Sequence, residues 1–177
     1  MKSKLLALSA ISSAFSAILL TVSAYVTFAD LFCLVLSSAF VMLPLYYGSY
    51  KAGFLAFLAG GVITFIFSGF NFTVMVIPAY FLFFGLFPLV KTLVEEKKVN
   101  KIVVYVLGLI WCLLAVYGIY FFYVDISGIS FSHLPKIVYD NILIVVGIVG
   151  CFFYVIYERY VKSVKKFIDY YLRKIIK

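Results

Sequence analysis

Charge is what this sequence has least of. Only 12% of its 177 residues are Asp, Glu, Lys or Arg, against 66% that are hydrophobic. A soluble domain is about a quarter charged and half apolar. Too few polar side chains are present to cover a surface in water, and the mean hydropathy of +1.17 agrees. The composition is that of an integral membrane protein. It excludes a separate nucleotide-binding fold or soluble catalytic module, because no stretch between the apolar runs is long enough to make one.

Chemistry-bearing residues are equally scarce. His133 is the single histidine, and only Asp125 and Asp140 lie near it, too few for a metal site. Cys33, Cys112 and Cys151 each fall inside an apolar run, without partners at metal-ligand spacing, and read as small hydrophobes. There is no histidine–nucleophile–acid set, no pair of carboxylates and no glycine-rich phosphate loop. The expectation is a protein that is not an enzyme and that carries no metal or cofactor.

What is abundant is apolar sequence, in six runs: Leu5–Ala29, Leu31–Tyr47, Ala52–Ser68, Phe70–Val90, Ile102–Val124 and Ile137–Tyr157. About 20 residues cross a bilayer core of ~30 Å. The sequence therefore predicts one all-α membrane domain of six spans, the second and third of them short. Lys2 and Lys4 with Val22-Ser23-Ala24 also have the layout of a secretory signal. The intervening run is long for one and carries a patterned face, which favours a retained span.

Orientation follows from the basic residues. With the N-terminus in the cytoplasm, Lys2, Lys4, Lys51, Lys91, Lys97, Lys98 and Lys101 fall inside, with Arg159, Lys162, Lys165, Lys166, Arg173, Lys174 and Lys177. Only Lys136 falls outside. This is the positive-inside bias, and it predicts both termini in the cytoplasm. It also accounts for the formal net charge of +8 without nucleic acid as a partner.

Three patterns carry function. Ser3, Ala7, Ala10, Ala14, Ala17, Thr21 and Ala24 recur every three or four residues on one stripe of the first span. Small residues allow another helix to approach closely, either within the bundle or in a second subunit. Gly53, Ala56 and Gly60 form a shorter stripe that reads as internal packing. The outer ends collect polar and aromatic groups, of which Tyr120, Tyr123, Asp125, Tyr139, Asp140 and Asn141 are the candidate ligand-binding residues. Asp140 is the acid nearest the apolar depth of a span, and there an ionisable group marks a functional site unless it pairs with Lys136 or reaches the interface. Tyr117, Tyr120 and Tyr123 could equally form an interfacial aromatic belt. Residues 158–177 read as a separate basic amphipathic helix, with Tyr160, Val161, Val164, Phe167, Ile168, Tyr171, Leu172 and Ile175 at helical spacing. Such a helix suits an anionic inner leaflet or a cytoplasmic partner.

Six short spans, an Ala10-x-x-x-Ala14 face after Lys4, the pair of spans around Met42-Leu43-Pro44 and Gly60-Gly61, and polar outer ends together resemble one family. They are similar to the substrate-binding S-components of energy-coupling-factor vitamin transporters. The resemblance implies a six-helix bundle in a bacterial plasma membrane that binds a micronutrient from outside. It further implies docking through the first helix, with Ala10 and Ala14 at its centre and Ala7 and Ala17 beside them. The partners would be a transmembrane coupling subunit and two cytoplasmic ATPases. A second resemblance is to the rod-shape-determining membrane proteins of bacterial wall synthesis, which implies a scaffold or adaptor without small-molecule cargo.

Overall fold

A computed structural model describes residues 2–46, 49–69, 75–97, 99–127 and 140–176. The described residues form helices and no strand. Six are labelled here: α1, Lys2–Tyr25; α2, Asp30–Tyr46; α3, Tyr50–Phe67; α4, Val76–Glu96; α5, Lys101–Ser127; and α6, Ile142–Ile176. Helix is the outcome expected of these runs, because in hydrocarbon every backbone N–H and C=O must be satisfied within the segment. Leu6, Phe28, Leu31, Ile102, Leu114 and Phe152 each expose more than half of their surface. These are the outward faces of a membrane-embedded protein. Five helices are long and apolar enough to cross a bilayer, and α2, apolar over Asp30–Leu45, is shorter.

Successive helices alternate in direction, so every described lysine and arginine gathers at one end of the bundle, the basic end. Lys4 and Lys51 lie at the starts of α1 and α3, Lys91 near the end of α4, Lys101 at the start of α5, and Arg159 onward in the final half of α6. Asp30, Met75 and Asp140 mark the opposite end. A single 3-10 turn, Thr27–Ala29, joins α1 to α2. Asp30, which separates the first two apolar runs, is the first residue of α2. Ser49 caps α3 by accepting from the Ala52 N–H at 3.3 Å. Gly69, at φ +70, ends α3 in the left-handed conformation that glycine adopts without strain.

Small polar residues join the first three helices. Ser16 Oγ donates to the Ser37 carbonyl at 3.3 Å, and Thr64 Oγ1 lies 3.5 Å from the Ala17 carbonyl. Gly60 permits this approach, since a β-carbon there would stand 3.1 Å from the Ser16 β-carbon. Gly53, Ala56 and Gly60 are all buried.

Helix α4 is the centre of the molecule. Of its apolar stretch 67% is buried, against 17% for α5 and 22% for α6. It is also the irregular helix. Tyr80–Phe84 form a π-turn, closed by the Gly85 N–H on the Tyr80 carbonyl at 2.8 Å. Pro88 has no N–H, so the Phe84 carbonyl loses its ordinary helical donor. Tyr157 Oη of α6 donates to that carbonyl at 3.2 Å, and Trp111 Nε1 of α5 donates to the Leu82 carbonyl at 2.9 Å. Side chains from two neighbours thus satisfy backbone groups of the central helix. Around them Phe57, Tyr80, Phe83, Phe84, Phe87 and Tyr157 pack as an aromatic core.

The chain after Tyr157 continues the last span without a break. At 1.5 Å per residue the 35 residues of α6 reach about 52 Å, well beyond ~30 Å of hydrocarbon. Val161 and Ile168 are buried, and this half of α6 runs along α2 beside Leu36 and Phe40. Its opposite face, with Lys162, Lys166 and Tyr170, is exposed.

Candidate functional site

Four helices meet around a cavity at the end opposite the basic end. Lying between α2, α4, α5 and α6, it has a volume of about 520 Å³, within the range that holds a small organic ligand. Leu34, Phe83, Phe84, Ile119 and Phe153 form its walls, with Asp30 and Tyr120 as polar members. Phe84 and Phe153 meet edge to face, with ring centroids 5.7 Å apart. Ser23 of α1 meets Asp30 at both its backbone and its side chain: the Ser23 Oγ lies 3.2 Å from the Asp30 carbonyl and 3.4 Å from Oδ1. The cavity is pre-formed and lined almost wholly by carbon.

Of the six candidate ligand residues, Tyr120 lines this cavity. Tyr123 and Asp125 belong to α5, but their side chains lie outside the described residues, as does all of Tyr139. Asp140 and Asn141 are exposed at the start of α6, and the Asn141 carbonyl accepts the Ile144 and Val145 N–H groups. Tyr117 spends its hydroxyl on the Leu143 carbonyl at 2.9 Å, tying α5 to α6. His133 is outside the described residues. Among those described, no three His, Cys, Asp or Glu side chains converge.

The small-residue stripe divides. Ala7, Ala10 and Ala14 are exposed, whereas Ala17 is buried with Ser12, Ser16 and Ser23 on the face toward α2 and α3. Of the three exposed alanines, Ala10 lines a shallow groove of about 370 Å³ between α1 and α3, together with Ser13, Ala52, Ala56 and Ala59.

An ionic cluster lies at the basic end, where the apolar runs stop at Val90 and Tyr157. Lys91 Nζ of α4 lies 3.0 Å from Glu158 Oε1 of α6, and Lys162 Nζ approaches the same oxygen at 3.0 Å. Lys165 Nζ meets Glu95 Oε2 at 2.7 Å. Lys91 also stands 5.7 Å from the Phe87 ring centroid. The signal was present in the order of charges. Lys91 and Glu95 are four residues apart on α4, Glu158 and Lys162 four apart on α6 with the signs reversed, so two helices side by side can cross-pair. A smaller cavity of about 320 Å³ adjoins this cluster, walled by Val90, Val104, Leu107 and Trp111.

Compared with family models, with characterised proteins and with solved structures, the chain finds no match in any of the three. Function is therefore argued from the site alone.

Proposed function

We propose that this protein is the substrate-binding membrane subunit of a bacterial uptake transporter of the energy-coupling-factor type. It spans the plasma membrane six times with both termini in the cytoplasm. Ligand enters from outside into the cavity near Asp30, and α1 docks to a transmembrane coupling subunit that carries two cytoplasmic ATPases. The observation that carries this reading is the cavity of about 520 Å³ at the end opposite the basic end. With the basic residues in the cytoplasm, that end faces outward. The exposed Ala7–Ala10–Ala14 face supports the docking half of the reading, because side chains this small allow a partner helix to come close. The carbon-rich lining points to a micronutrient with a large apolar surface.

A scaffold role, as in rod-shape-determining membrane proteins, would use the same α1 face and leave the cavity without cargo. Purification separates the two. The tagged full-length chain is expressed in a Gram-positive-type host, extracted in mild detergent, and its companions are identified by mass spectrometry. The expected result is a coupling subunit with two ATPases, lost in Ala14→Leu. Wall-synthesis proteins in their place, with no ATPase and no bound metabolite, would overturn the transporter reading in favour of the scaffold.

A further inference from the structure

The chemistry of the outer cavity selects a class of ligand, an inference that rests on its being the ligand site proposed above. Asp30 is its one charged liner among the described residues. Every described lysine and arginine lies at the far end of the bundle, so none of them stands beside the carboxylate. Among the described residues its side-chain contact is the neutral hydroxyl of Ser23, at 3.4 Å. A carboxylate at the rim of an apolar cavity attracts a counter-charge more strongly than it would in bulk water. The rings of Phe83, Phe84, Tyr120 and Phe153 belong to the same lining, and aromatic faces attract cations electrostatically. A carboxylate and four rings repel an anion and reward a cation with an apolar body.

We propose that the cavity binds a hydrophobic organic cation, its positive centre near Asp30 and its apolar body among the rings of α4, α5 and α6. The test uses two probes of the same shape and opposite charge, tetraphenylphosphonium and tetraphenylborate. Each is dialysed against the full-length protein in mild detergent, with empty micelles subtracted. The phosphonium should bind about tenfold or more tightly than the borate, a difference of about 1.4 kcal/mol. Asp30→Asn should remove most of that preference and Asp30→Glu should keep it. Ala115→Phe, which fills the cavity from a buried lining position, should abolish retention. Equal retention of both probes in the unmodified protein, or preference for the borate, would overturn the cation assignment while leaving the cavity a ligand site. Neither probe bound, or retention that survives Ala115→Phe, would overturn the assignment and the ligand-site reading together. The comparison of probes on the unmodified protein decides the matter even if Asp30→Asn fails to fold.

Discussion

Lys91 Nζ and Glu158 Oε1 lie 3.0 Å apart, joining α4 to α6 with side chains only 6% and 8% exposed. A buried pair of this kind gives little net stability over an apolar substitute, but loss of one partner leaves the other as an uncompensated charge. Glu158→Gln should therefore cost about 3–5 kcal/mol, read as a lower melting temperature in detergent. The double variant Lys91→Met/Glu158→Leu should recover most of that loss. A single variant as stable as the unmodified protein would show that Lys91 finds another partner. The second bridge, Lys165 to Glu95, is about one-third exposed on both sides (34% and 32%). Water and salt screen it, so Glu95→Gln should cost less than about 1 kcal/mol.

The bond from Tyr157 to the Phe84 carbonyl repairs a gap that Pro88 opens. Tyr157→Phe keeps the ring contacts with Phe83, Phe84 and Phe87 and removes only the donor. The carbonyl is then buried without its side-chain partner, at a cost of about 1–3 kcal/mol. Pro88→Ala restores a backbone N–H at the position that normally serves this carbonyl. In the Tyr157→Phe background it should recover part of the loss, and a double-mutant cycle measures the coupling. Strict additivity of the two changes would mean that Tyr157 does not stand in for the missing donor.

Two glycines in helices should respond in opposite ways to alanine. A β-carbon on Gly85 would lie 2.4 Å from the Phe57 ring, whereas one on Gly118 meets nothing within 4 Å. Gly85→Ala forces the π-turned segment of α4 away from α3 and should lower the melting temperature clearly. Gly118→Ala should be neutral or stabilising by up to about 1 kcal/mol, the ordinary helix preference of alanine over glycine. Equal effects at the two positions would show that α3 and α4 can separate without loss.

These expectations show which features hydropathy could and could not reveal. The apolar runs located all six helices, because a segment within hydrocarbon carries a long uncharged signal whether it faces lipid or the bundle interior. Their ends were less legible. Lys91 and Glu158 looked like boundaries, since a charge in isolation belongs in water, yet each continues its helix by pairing with the other. The π-turn of α4 has no marker except the neighbouring Pro88 and Gly85, whose consequences depend on Tyr157 and Phe57 from other helices. The ligand site was legible only in part. Tyr120 was singled out for its polar tip near an outer end, but its companions Leu34, Phe84 and Phe153 are indistinguishable by type from lipid-facing residues. Asp30 falls between the first two apolar runs and shows in the sequence only as a break; the packing of α2 against α4 brings it to a cavity. The alanine stripe divided at Ala17, because α2 and α3 cover one edge of α1 and leave the other bare.

The orientation on which the outer cavity depends can be tested by labelling single cysteines with a membrane-impermeant maleimide in intact cells. Cys33 and Cys112 are buried and Cys151 is half-buried, so replacing all three by alanine gives a background without competing thiols. Phe28, at 93% exposure, lies in the turn between α1 and α2, while Lys51 and Lys166 are exposed on α3 and α6. Phe28→Cys should be labelled in intact cells, and Lys51→Cys and Lys166→Cys only after lysis. Because Phe28 and Lys51 flank α2, opposite labelling requires that this short helix cross the membrane; labelling on the same side would reduce the spans to five. Labelling of Lys51→Cys and Lys166→Cys alone in intact cells would invert the bundle. The cavity beside Asp30 would then face the cytoplasm, and the uptake reading would fail with it.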